Sequence, residues 1–290
     1  MSDRMTGKII DGRQIAGSIL DRLRIEVSDV KARGAVPKLV VIQVGDDPAS
    51  TIYVNRKSKT CLSLGMDSEV KRFPVGITCE ELVSEIERLN SDRKVHGILV
   101  QLPLPAGIDH KRILETVDPR KDVDGLNPYN QGKNLLGEEC FQPATPRGIV
   151  TLLESTGEKL EGKSVVIIGR SNIVGKPTAV MLLKKGCTVT VCHSKTRNLP
   201  GFTRGADILV SAVGKPKLVR AEMIREGAIV IDVGITRLED GKIVGDVDFD
   251  EAIKKASWIT PVPKGVGPMT IASLMENTMK ACRDIEWPQK

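Results

Sequence analysis

The chain has 290 residues, enough for one large domain or two smaller ones, and 40% of them are hydrophobic, which is ample for a buried core. The formal net charge is +6, but 43 basic residues are interspersed with 37 acidic ones and only 3% of residues are aromatic. A nucleic-acid binder needs a basic face with aromatic side chains for stacking, so this class of protein is poorly supported. The mild cationic excess fits small anionic molecules instead.

The cysteines and histidines are spaced without any regular framework. None of the six cysteines forms a C-x-x-C pair, and the three histidines are too scattered to indicate zinc. No apolar stretch approaches about 18 residues, and Met1–Ile10 lacks the apolar core of a signal peptide. We therefore expect reduced thiols, a cytoplasmic location, no bound metal and no membrane span.

Strand-like runs alternate with helix-like runs from Lys38 to Ile235, which is typical of βα units on a parallel sheet. In the first half, Lys38–Val44 and Val95–Leu102 are predicted strands. Thr78 and Glu81 have capping-box spacing and predict the start of a helix over 78–90. An earlier helix is indicated by a stripe of apolar residues, namely Ile15, Ile19, Leu23, Val27 and Val30.

A second block of closely spaced strands follows, as expected of a nucleotide-binding half-fold. The predicted strands are Val165–Ile168, Thr188–Cys192, Ile208–Ala212 and Ala228–Val233. Residues 118–145 are rich in Pro, Gly, Asn and Asp, so the domain boundary is placed there. After Pro268 an amphipathic helix is predicted to return to the first block. The predicted domains are thus 1–143, completed by helix 269–290, and 144–268.

The segment from Lys163 to Pro177, KSVVIIGRSNIVGKP, predicts a dinucleotide-binding turn. A short β-branched strand runs into Gly169, Ser171 and Gly175, which open a helix whose amide N–H groups favour a pyrophosphate. The spacing is one residue longer than G-x-G-x-x-G, and a hydroxyl stands at the second glycine position. A βα turn without any ligand is therefore the alternative for this motif.

The end of the next strand favours NADP over NAD. An NAD enzyme normally has an Asp or Glu there for the ribose diol. Here the strand Thr188–Cys192 is followed by His193, Ser194, Lys195 and Thr196. With no carboxylate at this position, and with Arg170 in the turn, a 2′-phosphate is preferred over a free 2′-hydroxyl.

Residues 48–65, PASTIYVNRKSKTCLSLG, predict a helix with Ser50 as a candidate N-cap and Gly65 as the C′ residue. Tyr53 and Lys57 are four residues apart, so they share a helix face as an aromatic platform beside an amine. A lysine in such a sequence is more often a solvated surface residue. Gln101 ends a buried strand at the sheet edge where ligands bind in open α/β folds.

Two further segments have both a functional and a plain interpretation. Lys121–Gly125, KDVDG, is either a binding element or simply an Asp-rich turn. Residues 260–270, TPVPKGVGPMT, form a rigid loop that suits contact with a planar ligand and would equally serve as an interdomain hinge.

Together these segments resemble one family, the bifunctional methylenetetrahydrofolate dehydrogenase/methenyltetrahydrofolate cyclohydrolases. The resemblance covers nearly the whole chain, through PASTIYVNRK, GILVQLPLP, KDVDG, PATPRGI, GRSNIVGKP, CHSKT, SAVGKP, IDVGI, GDVDF and TPVPKGVGPMT in order. It implies a two-domain α/β homodimer, with a Rossmann-like parallel-sheet NADP-binding domain, an α/β catalytic domain and a folate cleft between them. It also implies tetrahydrofolate one-carbon derivatives as substrates, with no nucleic acid or membrane partner.

The resemblance also implies roles for individual residues. Lys57 would be the essential amine, Tyr53 the ring against the aminobenzoate, Gln101 the group that tunes the lysine, and Asp124 the pterin ligand. The implied folate contacts are Ser50, Tyr53, Val100, Gln101, Leu102, Asp124, Pro263, Gly265, Val266, Gly267 and Pro268. The implied cofactor contacts are Gly169, Arg170, Ser171, Gly175, Ser194 and Ile235.

The chain departs from the family pattern at two places. Lys264 stands where the family usually has glycine, which adds a cation beside the loop and argues against a positive φ there. Leu126 and Asn127 replace the usual Phe and His, which predicts altered pterin packing without a change at Asp124. Two other functions stay open: a monofunctional, possibly NAD-using dehydrogenase, and a dinucleotide-sensing protein without turnover.

Overall fold

A computed structural model describes residues 7–288 of the chain. It divides into two compact units. Unit 1 contains the described residues up to Gly17 together with Thr145–Thr270, and unit 2 contains Ser18–Ala144 together with the described residues from Ile271 onward. Each unit is therefore assembled from segments that are far apart in sequence.

The helices and strands of the described residues alternate along most of the chain. In chain order they are β1 (Lys8–Ile9), α1 (Gly12–Ala32), β2 (Lys38–Val44), α2 (Pro48–Ser63), β3 (Asp67–Phe73), α3 (Cys79–Ser91), β4 (Gly97–Val100), α4 (His110–Thr116), α5 (Pro128–Leu136), α6 (Ala144–Glu154), β5 (Ser164–Ile168), α7 (Gly175–Lys184), β6 (Thr188–Cys192), α8 (Leu199–Thr203), β7 (Ile208–Ser211), β8 (Ile229–Asp232), β9 (Thr236–Arg237), β10 (Ile243–Val244), α9 (Phe249–Ala252), β11 (Trp258–Ile259) and α10 (Val266–Glu286).

Unit 2 is built on a parallel sheet with the strand order β3-β2-β4. The predicted strand over Lys38–Val44 is confirmed. It is buried, as expected of a run without polar alternation in a parallel sheet that helices cover. The predicted capping box is also confirmed: Thr78 accepts a hydrogen bond from the Glu81 amide, and Glu81 accepts one from the Thr78 amide. The core of the unit joins β2 and β4 to α3 through Val40, Ile42, Leu82, Ile86, Leu89 and Val100.

The strand predicted over Val95–Leu102 is shorter in the structure and spans Gly97–Val100. Gln101 adds one more ladder bond, since its amide donates to the Ile42 carbonyl at 2.8 Å. Pairing ends there because Pro103 and Pro105 have no amide hydrogen to donate. The polar side chain of Gln101 is thereby left at the carboxyl edge of the sheet.

Unit 1 is built on a wholly parallel sheet, with the order β1-β11-β8-β7-β5-β6 among the described residues. The predicted strand Thr188–Cys192 is confirmed, and the other three predicted strands of this block each lie within one residue of their predicted bounds. No helix among residues 7–288 is long and apolar enough to cross a membrane. Within the same residues all six cysteines are free.

Two predicted boundaries are wrong. The domain predicted over 1–143 includes residues 7–17, but β1 pairs with β11 and the Arg13 amide donates to the Lys264 carbonyl at 3.0 Å, so these residues belong to unit 1. Residues 1–6 lie outside the described residues. The last helix begins at Val266, before Pro268, because a proline in the first helical turn forfeits no intrahelical hydrogen bond.

Candidate active site

Helix α2 carries Tyr53 and Lys57 four residues apart, and Lys57 reaches the residue that follows β4. The helix begins with Pro48, and Asp47 is its N-cap, since the Asp47 carboxylate accepts the Ser50 amide at 2.7 Å. The prediction of Ser50 as the N-cap is therefore wrong: proline is favoured at the first helical position, which makes the preceding residue the cap. The prediction for Gly65 is confirmed, because it follows the helix with a φ of +84°.

The ammonium group of Lys57 donates a hydrogen bond to the Gln101 side-chain oxygen at 3.0 Å. Gln101 is itself oriented, because its Nε2 donates to the Leu102 carbonyl at 2.6 Å and so turns its Oε1 toward the lysine. Lys57 is only 8% exposed, and surface lysines are far more accessible than that. The structure therefore excludes the interpretation of Lys57 as a solvated surface residue.

The buried environment of Lys57 favours its neutral amine more than water does. Burial lowers the pKa of Lys57, and the negative charge of Asp124 opposes that shift. Burial correspondingly raises the pKa of Asp124, and the charge of Lys57 partly offsets it. Because burial is the larger cause for both groups, the pKa of Lys57 lies below that of an ordinary lysine, and its amine loses its proton more readily.

Asp124 lies in a loop that is fixed on both sides. The buried carboxylate of Asp122 accepts the amides of Leu126 and Asn127 at 3.2 and 2.8 Å and the Asn130 side chain at 2.9 Å. The loop is tied to β4 by the Ile98 amide, which donates to the Lys121 carbonyl at 2.8 Å. The KDVDG segment is therefore a rigid support for Asp124.

Asn277 of α10 also holds this loop, and sequence reasoning missed it. Its Nδ2 donates to the carbonyls of Val123 at 2.8 Å and Gln142 at 3.0 Å. No local pattern marks the role, since the partners are 154 and 135 residues away. Gly125 has a φ of +69°, and a Cβ there would lie 2.6 Å from the Phe141 carbonyl oxygen, so only glycine fits.

The two unusual residues after this loop are part of the protein's framework. Leu126 is 7% exposed and packs in the core. Asn127 caps α5, since its side chain accepts the Tyr129 amide at 2.8 Å, and its Nδ2 donates to the Val117 carbonyl at 2.9 Å. The remaining predicted folate contacts of unit 2 are Ser50 and Val100, which are buried, and Tyr53 and Leu102, which are partly buried. Burial raises the pKa of Tyr53.

In unit 1 the predicted nucleotide turn joins β5 to α7. Gly169 has a φ of +126°, and a Cβ there would lie 2.5 Å from the Ala212 carbonyl oxygen. A Cβ on Gly175 would overlap the Gly169 carbonyl. The Ser171 hydroxyl accepts the amides of Val174 and Gly175 at 3.1 and 3.4 Å. The turn therefore needs both glycines, and the serine shapes it from inside.

Arg170 and Ser194 lie at the same edge of this sheet. Ile168 and Cys192 are the last paired residues of β5 and β6. Arg170 and Ser194 each follow their strand's last paired residue by two positions. A hydrogen bond closes the turn after β6: the Thr196 hydroxyl accepts the His193 amide at 2.9 Å. Both Arg170 and Ser194 are exposed and can reach a ligand at this edge.

The loop over 260–268 has a strained conformation at Lys264. The sequence argued against a positive φ there, but the structure gives Lys264 a φ of +92°. The left-handed region costs a non-glycine residue about 1–2 kcal/mol. The neighbouring backbone is packed closely, since a Cβ on Gly265 would lie 2.6 Å from the Pro261 carbonyl and one on Gly12 would overlap the Gly265 carbonyl. A Cβ on Gly267 would lie 3.8 Å from the Ile235 side chain, so Ile235 borders this loop.

Comparison with known proteins identifies the family. The model of the tetrahydrofolate dehydrogenase/cyclohydrolase catalytic domain matches residues 10–124, and the model of the NAD(P)-binding domain of the same family matches residues 143–286. The chain is 52% identical over 279 residues to the bifunctional protein FolD of Moorella thermoacetica, covering 96% of this chain and all of that protein. It is 54% identical to the bifunctional protein FolD of Bacillus velezensis, covering 96% and 99% of the two chains.

Solved structures agree with this result. The bifunctional FolD methylenetetrahydrofolate dehydrogenase/cyclohydrolase of Campylobacter jejuni has a TM-score of 0.94 at 51% identity, over 96% of this chain and 99% of that one. The Trypanosoma brucei methylenetetrahydrofolate dehydrogenase-cyclohydrolase, complexed with NADP cofactor and an inhibitor, has a TM-score of 0.93 at 40% identity, over 96% and 97% of the two chains. This chain, with its α/β catalytic domain and its parallel-sheet NAD(P)-binding domain, belongs to the tetrahydrofolate dehydrogenase/cyclohydrolase family.

Proposed function

We propose that Lys57, Gln101 and Asp124 form the centre at which this bifunctional enzyme performs its two reactions. The enzyme oxidises 5,10-methylenetetrahydrofolate to the methenyl cation with NADP, and it hydrolyses that cation to 10-formyltetrahydrofolate. The observation that carries the proposal is the buried Lys57, which donates to Gln101 at 3.0 Å and has a lowered pKa.

The proposed role of Lys57 is that of a general base in hydrolysis. A neutral amine removes a proton from the water that attacks the one-carbon centre, and afterwards it returns a proton to the departing ring nitrogen. Gln101 supports both states, since its oxygen accepts a hydrogen bond from the amine or from the ammonium group. A cationic folate beside the amine further disfavours protonation of Lys57.

In the oxidation, NADP accepts a hydride from the one-carbon bridge. The protein side chains align the folate and exclude water during this transfer. We assign folate binding to Tyr53, whose ring would lie against the aminobenzoate, and to Asp124, whose carboxylate would accept hydrogen bonds from the pterin. Further lining is proposed for Ser50, Val100, Gln101, Leu102, Pro263, Gly265, Val266, Gly267 and Pro268.

Cofactor binding is assigned to the edge of the unit 1 sheet. Gly169 and Gly175 allow the turn that offers backbone N–H groups to the pyrophosphate, and Ser171 lies in the same turn. Arg170 and Ser194 would bind the 2′-phosphate, which the matched register of β5 and β6 supports. Ile235 is assigned to the same site.

Replacing Asp124 with asparagine should shift the pH dependence of hydrolysis to lower pH. Asp124 raises the pKa of Lys57, so removing its charge lowers that pKa further and makes the neutral amine available at lower pH. The loss of a charged hydrogen bond should also raise the KM for folate by about ten- to a hundredfold in both reactions. A pH profile of kcat for hydrolysis measures the first effect.

Asp118→Asn is the matched control, since it removes the same charge from a carboxylate that pairs with Arg120. It should leave the profile and the folate KM unchanged. A collapse of NADP affinity in Asp124→Asn, or a shift of its profile to higher pH, would contradict the assignment.

An absorbance assay tests the proposed function and separates the alternatives. With methylenetetrahydrofolate and NADP present, we expect reduced cofactor to appear while methenyltetrahydrofolate stays low because it is hydrolysed. Methenyltetrahydrofolate that accumulates without decay would indicate a monofunctional dehydrogenase. Binding of NADP without any turnover would indicate a sensing protein.

We also propose that the enzyme is a homodimer and that it acts in the cytoplasm without nucleic-acid or membrane partners. The six free thiols support a reducing compartment. Light scattering of the purified enzyme should give twice the chain mass of 31.5 kDa, and a mass of one chain at micromolar concentration would refute the dimer.

A further inference from the structure

We propose that Asp232 and Asp246 are positioning residues for the cofactor. Their buried carboxylates hold the loops that follow β7 and β8 in the conformation to which NADP binds. Neither residue stands among the catalytic or binding residues assigned above, and the inference rests on the proposed cofactor site at the edge of the unit 1 sheet.

The two carboxylates accept six hydrogen bonds, five of them from backbone amides. Asp246 accepts the Ser211 hydroxyl at 2.9 Å and the amides of Val213 and Lys215, both at 2.8 Å. Asp232 accepts the amides of Gly234 at 3.0 Å and of Asp246 and Val247 at 2.9 Å. The amides of residues 213, 215 and 234 lie in the two loops beyond the strand ends, so the carboxylates set the shape of both loops.

Two glycines give the carboxylates the space that they occupy. A Cβ on Gly234 would overlap the Asp246 carboxylate, and a Cβ on Gly245 would overlap the Asp232 carboxylate. Each glycine is therefore packed against the acid of the other segment. This reciprocal arrangement packs residues 231–234 (IDVG) directly against residues 245–247 (GDV).

The loops held in this way adjoin the nucleotide turn directly. The Ala212 amide donates to the Ile168 carbonyl at 2.8 Å, and the Ala212 carbonyl occupies the place where Gly169 would otherwise carry a Cβ. The next residue, Val213, is the one that Asp246 holds. On the other side, Gly234 is followed by Ile235, which is 45% exposed.

Burying two carboxylates together is costly, and the hydrogen bonds that they accept from five backbone amides offset that cost. Asp232 is 4% exposed and Asp246 is fully buried, and among the described residues no lysine or arginine forms an ion pair with either one. Burial raises the pKa of Asp232 to about 6, and the neighbouring charge of Asp246 acts in the same direction. An apolar pair would fill the space at lower cost, but it could not hold five amides.

The decisive variant is Asp246→Asn in the full-length enzyme. Asparagine keeps the shape, but its NH2 group must face either the Lys215 amide or the Val213 amide and Ser211 hydroxyl, and donors repel donors. We expect the Kd for NADP and the KM for NADP to rise about tenfold or more. Hydrolysis of methenyltetrahydrofolate, assayed without NADP, should stay within about twofold, because Lys57 lies in unit 2.

Asp250→Asn is the matched control, since it makes the same charge change at an exposed position four residues away. It should behave as wild type in all three measurements. Arg170→Ala, measured alongside, tests the cofactor site itself, so a failure of that site is seen separately from a failure of the carboxylate pair.

An NADP Kd for Asp246→Asn within twofold of wild type would overturn the proposal. So would a parallel loss of hydrolysis and NADP binding in a folded protein. If Asp246→Asn does not fold, Ser211→Ala decides the question, because it removes only the hydroxyl donor. We then expect a rise of about threefold in the NADP Kd with unchanged hydrolysis, and an unchanged Kd would overturn the proposal.

Discussion

Replacing Lys57 with methionine should lower the rate of methenyltetrahydrofolate hydrolysis by about 10²–10⁴-fold, the usual range for a lost general base. Methionine keeps the apolar stem of the side chain but removes the amine, so the attacking water has no proton acceptor. Folding and NADP binding should survive, because the removed group forms its hydrogen bond to Gln101 within unit 2.

The dehydrogenase activity of Lys57→Met should be lost less completely. Hydride transfer involves no proton step at the one-carbon centre, so only the positioning role of Lys57 is removed. Residual oxidation should then make methenyltetrahydrofolate accumulate in place of the formyl product. Stopped-flow absorbance of methenyltetrahydrofolate measures the two activities in one sample, because oxidation forms this compound and hydrolysis consumes it.

Lys59→Met is the matched control for this experiment, since Lys59 lies on the same helix and is exposed. It should retain both activities. Hydrolysis at the wild-type rate in Lys57→Met would show that the buried amine has no catalytic role, and the assignment of the active centre would then be wrong.

The second large effect is expected for the cofactor preference. Wild-type enzyme should use NADP much more efficiently than NAD, and Arg170→Ala should raise the KM for NADP by about ten- to a hundredfold. The reason is the loss of a charge-assisted contact to the 2′-phosphate, worth about 1.5–3 kcal/mol. The KM for NAD should change little, because NAD lacks that phosphate.

Steady-state kinetics with both cofactors test this prediction. Lys184→Ala removes an exposed cation from the end of α7, the helix that follows the turn. It should leave the preference for NADP over NAD unchanged. A wild-type enzyme that turns over equally well with the two cofactors would refute the role of Arg170 and of the carboxylate-free end of β6.

The sequence predicted those parts of the molecule that are governed by local patterns. β2 and β6 have their predicted bounds because short runs rich in β-branched residues specify a strand. The nucleotide turn was found because it depends on glycines within a few residues of each other. The family resemblance, rather than any pattern, brought Lys57 and Gln101 together across 44 positions.

Several of the parts that sequence reasoning missed depend on distant partners. Asp246 holds Val213 and Lys215 from more than 30 positions away, and Asn277 reaches Val123 across 154. A carboxylate that accepts backbone amides leaves no periodicity in its own sequence. The two-residue strand β1 was missed for a similar reason, since its pairing with β11 is visible only in three dimensions.

The contact of Asn277 with the KDVDG loop has a consequence for biosynthesis. A chain grows from its first residue to its last, and most of unit 2 is made in the first half of translation. The carbonyls of Val123 and Gln142 have to wait for the side chain of Asn277, which is made 154 and 135 residues after them. The loop that carries Asp124 is therefore synthesised early, but it obtains these two hydrogen bonds only after residues 145–270 of unit 1 have been made.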